Sequence, residues 1–419
     1  MATVNGESRP RVVLGVSGGI AAYKACELLR RFTESGHDVT VVPTAAALGF
    51  VGAPTWAALS GKPVSTEVWS SVHEVPHDRI GQQAELLVVA PATADLLAKA
   101  AHGLADDLLT NTLLTARCPV LFAPAMHTEM WEHPATQANV ATLRSRGAVV
   151  LEPAEGRLTG ADTGKGRLPD PGEIFALATD ILARRDQQGG TSAQDLRGLR
   201  VVVSAGGTRE YLDPVRFIGN RSSGLQGYAL ARTAAGRGAE VTLVAANVSL
   251  PDPAGVKVVR VETTAQLQER VIEACASADA VVMAAAPADF RPESTAVAKI
   301  KKSEDGSSPD LRLTQNPDIL AGLSRERPND HIVVVGFAAE TGDESGSVMD
   351  HARAKLSRKG CDLLVVNDVG GGAVFGSEDN EAVVLGADGS AVSVPLGSKA
   401  ALAHVIWDRV LGLRTTDTP

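Results

Sequence analysis

Short apolar runs alternate with longer segments of mixed polarity along the whole chain. The runs are RVVLGV, DVTVV, ELLVVA, PVLFA and AVVLE in the first half, and RVVVSAGG, AEVTLVAA, DAVVMAAA, HIVVVGFAAE and DLLVVND in the second. Runs that are apolar at successive positions are typical of parallel strands buried on both faces, and the segments between them are typical of crossover helices. The pattern predicts an α/β fold with two doubly wound, Rossmann-like domains.

The alternation is interrupted at RRDQQGGTSAQDLRG, which begins at residue 184. Because this stretch is polar and contains glycine, it indicates a linker. We predict a first domain over residues 1–186, a linker over 187–198 and a second domain over 199–419. EAVVLGADGSAVSV predicts a hairpin near the end of the second domain, with Asp388-Gly389 as its turn.

The composition favours a soluble protein of the reducing cytoplasm. The 419 residues carry a formal net charge of −9 and four cysteines, Cys26, Cys118, Cys275 and Cys361. No C-x-x-C spacing is present, so neither a disulfide framework nor a zinc site is indicated. MATVNGESRPR offers no apolar secretion signal, and no run reaches the roughly 18 apolar residues of a membrane span. The negative charge argues against a general nucleic-acid surface.

Small and hydroxyl residues follow three predicted strands of the first domain. RVVLGV is followed by Ser17-Gly18-Gly19 and a helix, Thr44 follows DVTVV, and ELLVVA leads into APAT at residues 90–93. A helix N-terminus behind small residues presents free N–H groups to an anion, although the glycine spacing is not G-x-G-x-x-G. Because the carboxyl ends of parallel strands form the ligand crevice, we expect a phosphate-bearing ligand here.

GRLTGADTGKGRL, residues 156–168, is a glycine-rich run without apolar periodicity. A phosphate-binding P-loop needs G-x-x-x-x-G-K-[ST]. The chain has Thr159 in place of the first glycine, and Gly166 in place of the hydroxyl residue that follows the lysine. The run is therefore not a nucleotide-binding loop.

Long motifs in both halves resemble known enzymes. SGGIAAYK, APATADLLAKAAHGLADDLLTNTLL and APAMHTEMW resemble the flavin-dependent cysteine decarboxylases. SAGGTREYLDPVRFIGNRSSGLQG, AAAPADFRP, KIKK, QNPDIL, VGFAAET and KLSRKGCDLLVVNDV resemble phosphopantothenate-cysteine ligases. Over its whole length the chain is thus similar to the bifunctional phosphopantothenoylcysteine decarboxylase / phosphopantothenate-cysteine ligase family of bacterial coenzyme A biosynthesis.

For the first domain, the resemblance implies a flavodoxin-like fold that binds FMN. The implied cofactor residues are Ser17, Gly18, Thr44, Pro91, Ala92, Thr93 and Ala94. A flavin is needed because oxidation of the substrate thiol creates an adjacent C=S that accepts the electrons released when CO2 leaves. The resemblance places the substrate at Ala125, Met126 and His127, where His127 replaces the asparagine of the family.

The family's catalytic base is a histidine, whose pKa near neutrality suits proton removal. The family frame H-x6-A-[DE] selects His77, and His73 is the alternative. The glycine-rich run 156–168 corresponds to the family's flap, whose glycines we expect to let the chain bend over the substrate. Gly160 stands where the family has its proton-donating cysteine, which leaves Asp162 and Lys165 as local candidates.

For the second domain, the resemblance implies that CTP activates a carboxylate as an acyl-cytidylate, with Mg²⁺ and lysines stabilising the charge. Asn220 would hold the carboxylate and the acyl-cytidylate, and Lys299 would stabilise the charge that develops as the anhydride forms. The other implied nucleotide residues are Met283, Ala284, Ala285, Asp289, Pro317, Asp318, Ile319, Leu320, Phe337, Lys355 and Lys359. Without the resemblance, these lysines would be ordinary surface charges. Leu225 replaces a lysine that the family commonly has after SSG.

Two alternatives from other classes remain at this point. One is a non-catalytic flavin-binding regulator of the same fold, and the other is a nicotinamide dehydrogenase, which the glycine spacing disfavours. The resemblance further implies trimeric decarboxylase domains and dimeric ligase domains, which together form a homododecamer. The implied small-molecule partners are 4'-phosphopantothenate, cysteine and CTP, and the sequence does not identify the Mg²⁺ ligands.

Overall fold

The computed structural model describes residues 9–64, 76–157, 162–188, 194–301, 310–340, 348–368 and 379–416. Contacts divide the chain into two compact units, Met1–Asp195 and Leu196–Pro419. Helix α9 continues to Gln188, and Leu196 is already buried in the second unit. Within the described ranges, no helix is both long enough and apolar enough to cross a membrane.

The first unit contains one parallel sheet and one separate pair of antiparallel strands. Its strands are β1 (Arg11–Val16), β2 (Asp38–Pro43), β3 (Leu86–Ala92), β4 (Val120–Pro124), β5 (Val149–Val150), β6 (Ala154–Arg157) and β7 (Thr163–Arg167). Its helices are α1 (Ala22–Glu34), α2 (Ala45–Leu48), α3 (Ala53–Ser60), α4 (Pro76–Gln83), α5 (Ala94–His102), α6 (Leu108–Thr115), α7 (Thr128–Glu132), α8 (Pro134–Ser145) and α9 (Pro171–Gln188). The five parallel strands follow the order β2-β1-β3-β4-β5, and β6 and β7 form a separate antiparallel pair.

Burial follows the sequence pattern in this unit. Every residue of β3 is buried, as expected for a central strand covered on both faces. In α1 the buried residues Ala25, Leu28, Leu29 and Phe32 are three or four positions apart, so one face of the helix packs on the sheet. The strand order is that of flavodoxin-like proteins, which confirms the predicted doubly wound fold.

The second unit has a larger sheet. Its strands are β8 (Arg200–Gly206), β9 (Arg209–Tyr211), β10 (Phe217–Gly219), β11 (Glu240–Ala246), β12 (Val256–Val261), β13 (Ala280–Met283), β14 (Phe290–Pro292), β15 (Leu313–Gln315), β16 (Val333–Glu340), β17 (Leu363–Asp368), β18 (Asp379–Gly386) and β19 (Ala391–Ser398). Its helices are α10 (Leu225–Gly236), α11 (Thr264–Cys275), α12 (Ile319–Arg325), α13 (Val348–Lys359) and α14 (Lys399–Thr416). The main sheet follows the order β12-β11-β8-β13-β16-β17-β18-β19.

The first six strands in this order are parallel, and their arrangement is that of the Rossmann fold. The antiparallel pair β18 and β19 extends the sheet, and Gly389 in the turn has a φ of 84°, which confirms the predicted hairpin. The apolar-run criterion missed β12, because Lys257 and Arg260 interrupt it. The two side chains point to opposite faces of this edge strand, and both are exposed.

Candidate active sites

In the first unit, the candidate site lies where β1 and β3 end side by side. The chain leaves β1 toward β2 on one side and later returns to β3 on the other, so a crevice opens between their carboxyl ends. Ser17 is 2 % exposed; its hydroxyl donates to the Pro91 carbonyl (2.7 Å) and accepts from the Thr93 N–H (2.9 Å). Ser17 therefore fixes the two loops to each other.

Thr44 and Thr93 each cap a helix at this edge. Their hydroxyl oxygens accept from the backbone N–H groups of Ala47 (3.2 Å) and Leu96 (3.4 Å). Because a capping hydroxyl uses its oxygen as the acceptor, its proton can still be donated to a ligand. Both threonines can thus bind an acceptor-rich group such as a phosphate or a ribityl chain.

Gly18 is required by the close approach of two loops. A Cβ atom at this position would lie 2.4 Å from the Ala46 Cβ atom. A Cβ atom at the neighbouring Gly19 would lie 3.7 Å from Thr93 Cγ2, which is an ordinary contact. The absence of a side chain at Gly18 lets the turn after β1 and the Thr44 loop meet. The turn precedes the N-terminus of α1, and together with the threonine hydroxyls it fits a phosphate-bearing cofactor.

The described part of the glycine-rich run 156–168 belongs to β6 and β7, and Gly164 and Gly166 pack closely on another segment. The Met126 N–H donates to the Gly166 carbonyl (2.9 Å), and a Cβ atom at Gly166 would lie 2.1 Å from the Met126 carbonyl oxygen. A Cβ atom at Gly164 would lie 2.3 Å from Thr128 Oγ1. β7 thus packs directly on residues 126–128, which include the predicted substrate residues Met126 and His127 and which we call the substrate segment. That the run bends over the substrate stays a prediction.

Lys165 on β7 forms an ion pair with Glu152 (2.7 Å), which also accepts from Arg144 (2.8 Å). Burial raises the pKa of Glu152, but the hydrogen bonds from Lys165 and Arg144 outweigh burial and leave that pKa below its ordinary value. Of the two candidate proton donors, Lys165 is thus already paired, whereas Asp162 is exposed. Gly160 lies outside the described residues.

The two candidate histidines are described unequally. His73 lies outside the described residues, and of His77 only the backbone is described, as the second residue of α4. In a crossover, the helix that precedes a parallel strand begins at the edge where that strand ends. The backbone of His77 therefore starts from the edge that carries APAT. Ala125 follows β4 and donates to the Ala92 carbonyl (3.1 Å), which brings the substrate segment to the same edge.

In the second unit, a cleft of about 900 Å³ opens at the carboxyl ends of β13, β16 and β17, beside the N-terminus of α10. The Ala286 N–H, in the loop after β13, donates to the carbonyl of Gly206 at the end of β8 (2.8 Å), which joins these two strand ends. The predicted residues that line the cleft are Asn220, Leu225, Met283, Ala284, Ala285, Asp289, Pro317, Asp318, Ile319, Leu320, Phe337, Lys355 and Lys359. Lys299 is exposed and is not among the lining residues.

A buried polar network fixes three loops of this cleft. The Thr208 hydroxyl lies 2.9 Å from that of Thr264, which donates to Glu210 (2.8 Å). Thr208 also accepts from the Ala288 N–H (2.8 Å), and the Asn316 side chain donates to the Ala288 carbonyl (2.8 Å). Because the partners are buried, these hydrogen bonds hold the loops after β8, β13 and β15 in one arrangement.

One wall of the cleft is basic. Lys355, Arg358 and Lys359 come from the last turns of α13. Lys359 is hydrogen-bonded to Asp318, whose other oxygen accepts from the Ala321 N–H (3.0 Å) as the cap of α12. Burial raises the pKa of Asp318, but the hydrogen bonds from Lys359 and the Ala321 N–H, together with the charges of Lys359 and Arg358, outweigh burial and lower that pKa. The wall can bind phosphates, with Lys359 held by a carboxylate.

Sequence reasoning missed several lining residues. They include Arg221, Ser222, Gln226, Asn367, Asn380 and Lys399. Asn367 follows VV at the carboxyl end of β17, a position that could have identified it. Asn380 lies on β18 of the antiparallel extension and Lys399 is the first residue of α14, and no local motif marks either. Among the described residues, no cluster of three or more His, Cys, Asp or Glu side chains could hold a metal ion.

The two units match two protein families. Residues 2–182 match the family described as Flavoprotein, and residues 196–413 match the DNA/pantothenate metabolism flavoprotein C-terminal domain. The fold and the two sites thus belong to a flavoprotein joined to a second unit of pantothenate metabolism.

Relatives match almost the whole chain. The coenzyme A biosynthesis bifunctional protein of Mycobacterium bovis is 59% identical over 406 residues, which cover 96% of this chain and 96% of the relative. Its counterpart from Vibrio cholerae is 42% identical over 402 residues, covering 94% and 96%. The chain belongs to this family of bifunctional coenzyme A biosynthesis enzymes, as the motifs predicted, and the alternative of a non-catalytic regulator is wrong.

Solved structures match the units separately. A crystal structure of the C-terminal domain of a coenzyme A biosynthesis bifunctional protein is 33% identical, with a TM-score of 0.45, and covers 54% of this chain and 100% of its own. A mutant PPC decarboxylase complexed with pantothenoylaminoethenethiol is 33% identical, with a TM-score of 0.38, and covers 40% and 96%.

Replacing Gly18 with alanine should weaken flavin binding about tenfold or more, because the new methyl group would force the Ala46 loop to shift. The measurement is the dissociation constant of FMN, followed by flavin absorption. Gly19→Ala is the matched control, since its methyl group has room, and it should bind FMN like the wild type. Equal binding by both variants would show that the close approach at Gly18 does not shape the cofactor site.

Replacing Glu152 with glutamine should loosen β7 from the substrate segment. The contact is partly exposed, so we expect about a two- to fivefold loss of hydrogen-exchange protection at the Met126 amide. Because the folded-state pKa of Glu152 is lowered, its contribution is complete above the ordinary value of 4.5 and is lost as the pH falls through the lowered value.

Glu155→Gln is the control for this experiment, because Glu155 is an exposed residue of the same hairpin. It makes the same change of charge and should leave protection at Met126 unaltered. If Glu155→Gln and Glu152→Gln behave alike, the ion pair does not hold the hairpin.

Proposed function

We propose that this chain makes 4'-phosphopantothenoylcysteine from 4'-phosphopantothenate, cysteine and CTP in its second unit, and decarboxylates it to 4'-phosphopantetheine in its first. Near full-length identity to bifunctional coenzyme A biosynthesis proteins supports this proposal. The observation that carries it is the presence of a complete ligand crevice at the strand ends of each unit.

In the ligation, the substrate carboxylate attacks the α-phosphate of CTP and displaces pyrophosphate, and the amine of cysteine then displaces CMP. The basic wall at Lys355, Arg358 and Lys359 favours the triphosphate. Asp289, in the loop after β13, and Phe337, in β16, line the same cleft, and we assign them to the cytidine. Asn220 donates to the Pro287 carbonyl (2.8 Å), so its amide is oriented toward the loop after β13, which also carries Asp289. We assign to Asn220 the binding of the acyl group. We assign to Lys299 the stabilisation of the negative charge that develops as the anhydride forms.

In the decarboxylation, the turn at Ser17 and Gly18 and the capping hydroxyls of Thr44 and Thr93 would hold FMN by its phosphate and ribityl chain. When bound, FMN supplies an electron acceptor for the substrate thiol and later returns the electrons. His77 removes protons during thiol oxidation, and residues 125–127 hold the substrate carboxylate. The β6–β7 hairpin excludes water from the substrate.

The final protonation requires a donor other than cysteine. Since Lys165 is paired with Glu152, exposed Asp162 is the better placed of the two candidates. His127 is exposed at the cap of α7 and makes no side-chain capping hydrogen bond, so its ring can reach a carboxylate.

Self-association of both units is part of this proposal, as trimers of the first and dimers of the second. Large apolar side chains are exposed near the flavin turn, namely Ile20, Tyr23 and Phe50, each at least half exposed (65%, 59% and 51%). In the second unit, Val215 and Phe217 are exposed beside the β9–β10 ribbon. Such surfaces favour association. Mg²⁺ would bind with the triphosphate rather than in an all-protein site.

The test is an assay of the purified full-length protein. It should be yellow, and it should release pyrophosphate and then CO2 when given CTP, cysteine and phosphopantothenate with Mg²⁺. His77→Ala should slow CO2 release about 10²-fold or more and leave pyrophosphate release unchanged, whereas Lys299→Ala should slow pyrophosphate release and leave CO2 release unchanged when 4'-phosphopantothenoylcysteine is supplied directly. Each variant is thus the control for the other. A colourless protein that releases neither product would refute the proposal.

A further inference from the structure

Asp213 is a buried carboxylate outside both predicted sets of site residues. It lies in the connection between β9 and β10, and it is 0% exposed. It accepts hydrogen bonds from the Val215 N–H (2.8 Å), the Arg216 N–H (2.9 Å), Arg216 Nε (2.8 Å) and Nη2 (2.5 Å), and the Ile300 N–H (3.1 Å). A carboxylate that is removed from water and has this many donors is held in one position.

The Ile300 N–H is the long-range partner in this set. Ile300 directly follows Lys299, and its carbonyl accepts from Arg216 Nη2 (2.6 Å). The backbone of Ile300 is therefore bound on both sides by the Asp213–Arg216 pair. Burial raises the pKa of Asp213, but the Arg216 guanidinium and the backbone N–H groups hold that pKa well below its usual range.

A second attachment holds the other end of the lysine loop, which we define as residues 296–300. The Ala296 N–H donates to the Leu212 carbonyl (2.9 Å), and the neighbouring Thr295 hydroxyl donates to the Tyr211 carbonyl (3.0 Å). Between the two attachments, residues 297–299 are exposed, and Val297 is 97% exposed. The loop that carries Lys299 thus projects from the β9–β10 ribbon and is fixed at both ends.

The same ribbon leads into Asn220. β10 ends at Gly219, where it pairs with Arg209 of β9, and Asn220 is the next residue. Asp213 therefore connects the two segments that carry the ligase residues Asn220 and Lys299, although these are 79 positions apart in the sequence. Fixing the relative position of two reacting groups is a large part of catalysis, since a displacement of about 1 Å can slow a reaction roughly 10²-fold.

We propose that Asp213 is a positioning residue for the first half-reaction of the ligase, in which it holds the Lys299 loop on the ribbon that presents Asn220. This inference rests on the proposed function for the assignment of Lys299. Asp213 touches neither substrate; it acts through the backbone of Ile300 and through Arg216.

The test uses Asp213→Asn in the full-length protein, which keeps one acceptor oxygen and replaces the other with a donor that opposes Arg216. Without cysteine, pyrophosphate release in a single turnover should fall about tenfold or more, while the KM for CTP stays within about twofold. The Ile300 amide should lose hydrogen-exchange protection, while the amides of the central strand β13 keep theirs.

A double-mutant cycle separates positioning from a general structural effect. If Asp213 acts through Lys299, the variant Asp213→Asn/Lys299→Ala should be no slower than Lys299→Ala within about twofold, since the loop then has no lysine to position. Multiplied effects of the two substitutions would overturn the proposal. So would unchanged protection at Ile300. Glu273→Gln, which breaks an exposed i,i+3 pair of the same unit, is the matched control.

Arg216→Met is the second variant in case Asp213→Asn does not fold, because the Arg216 side chain is 45% exposed and its loss is tolerated more easily. It removes the hydrogen bond to the Ile300 carbonyl, and it should show the same non-additivity with Lys299→Ala. If the wild type releases no pyrophosphate, the proposed function fails. The exchange measurement at Ile300 then still decides whether Asp213 holds the loop.

Discussion

In both units the site depends on one topological constraint. A strand at the centre of a doubly wound sheet has neighbours whose crossovers leave in opposite directions, so the loops at its carboxyl end separate and expose backbone N–H groups. In the first unit this strand is β1, and in the second it is β8. The separation creates the crevice, but it also removes the neighbours that would otherwise hold the loops. Each unit compensates with side chains that connect one strand end to the next.

The compensation differs between the two units. In the first unit, the Ser17 hydroxyl after β1 forms hydrogen bonds with both Pro91 and Thr93. Glycines in the same unit bring loops into close contact. In the second, buried threonine, glutamate and asparagine side chains form a network below the loops. A compact cofactor end can be bound by bare backbone, whereas the nucleotide and two further substrates that we propose for the second unit would require a wide cleft supported from beneath.

The fold could be predicted from the sequence because parallel strands buried on both faces leave long apolar runs. The edge strand β12 was not predicted, since Lys257 and Arg260 interrupt its run of valines. Motifs identified most of the cleft lining, because they cluster at strand ends. Asn380 and Lys399 could not be found, because they reach the cleft only through the pairing of β17 with β18 and through the start of α14. The glycines of β7 were noticed, but their partners, Met126 and Thr128, are tertiary contacts that no local pattern encodes.

The pair of Lys359 and Asp318 has a consequence for ionic strength. A lysine that faces open solvent attracts mobile counterions, and a bound phosphate gains affinity by releasing them. Lys359 already has a protein carboxylate as its counterion. The ammonium group has three donors, so an incoming anion can bind beside Asp318, but it meets a charge that is already partly neutralised. Fewer salt ions are then released on binding, so this lysine contributes to the geometry of anion binding more than to salt-sensitive attraction.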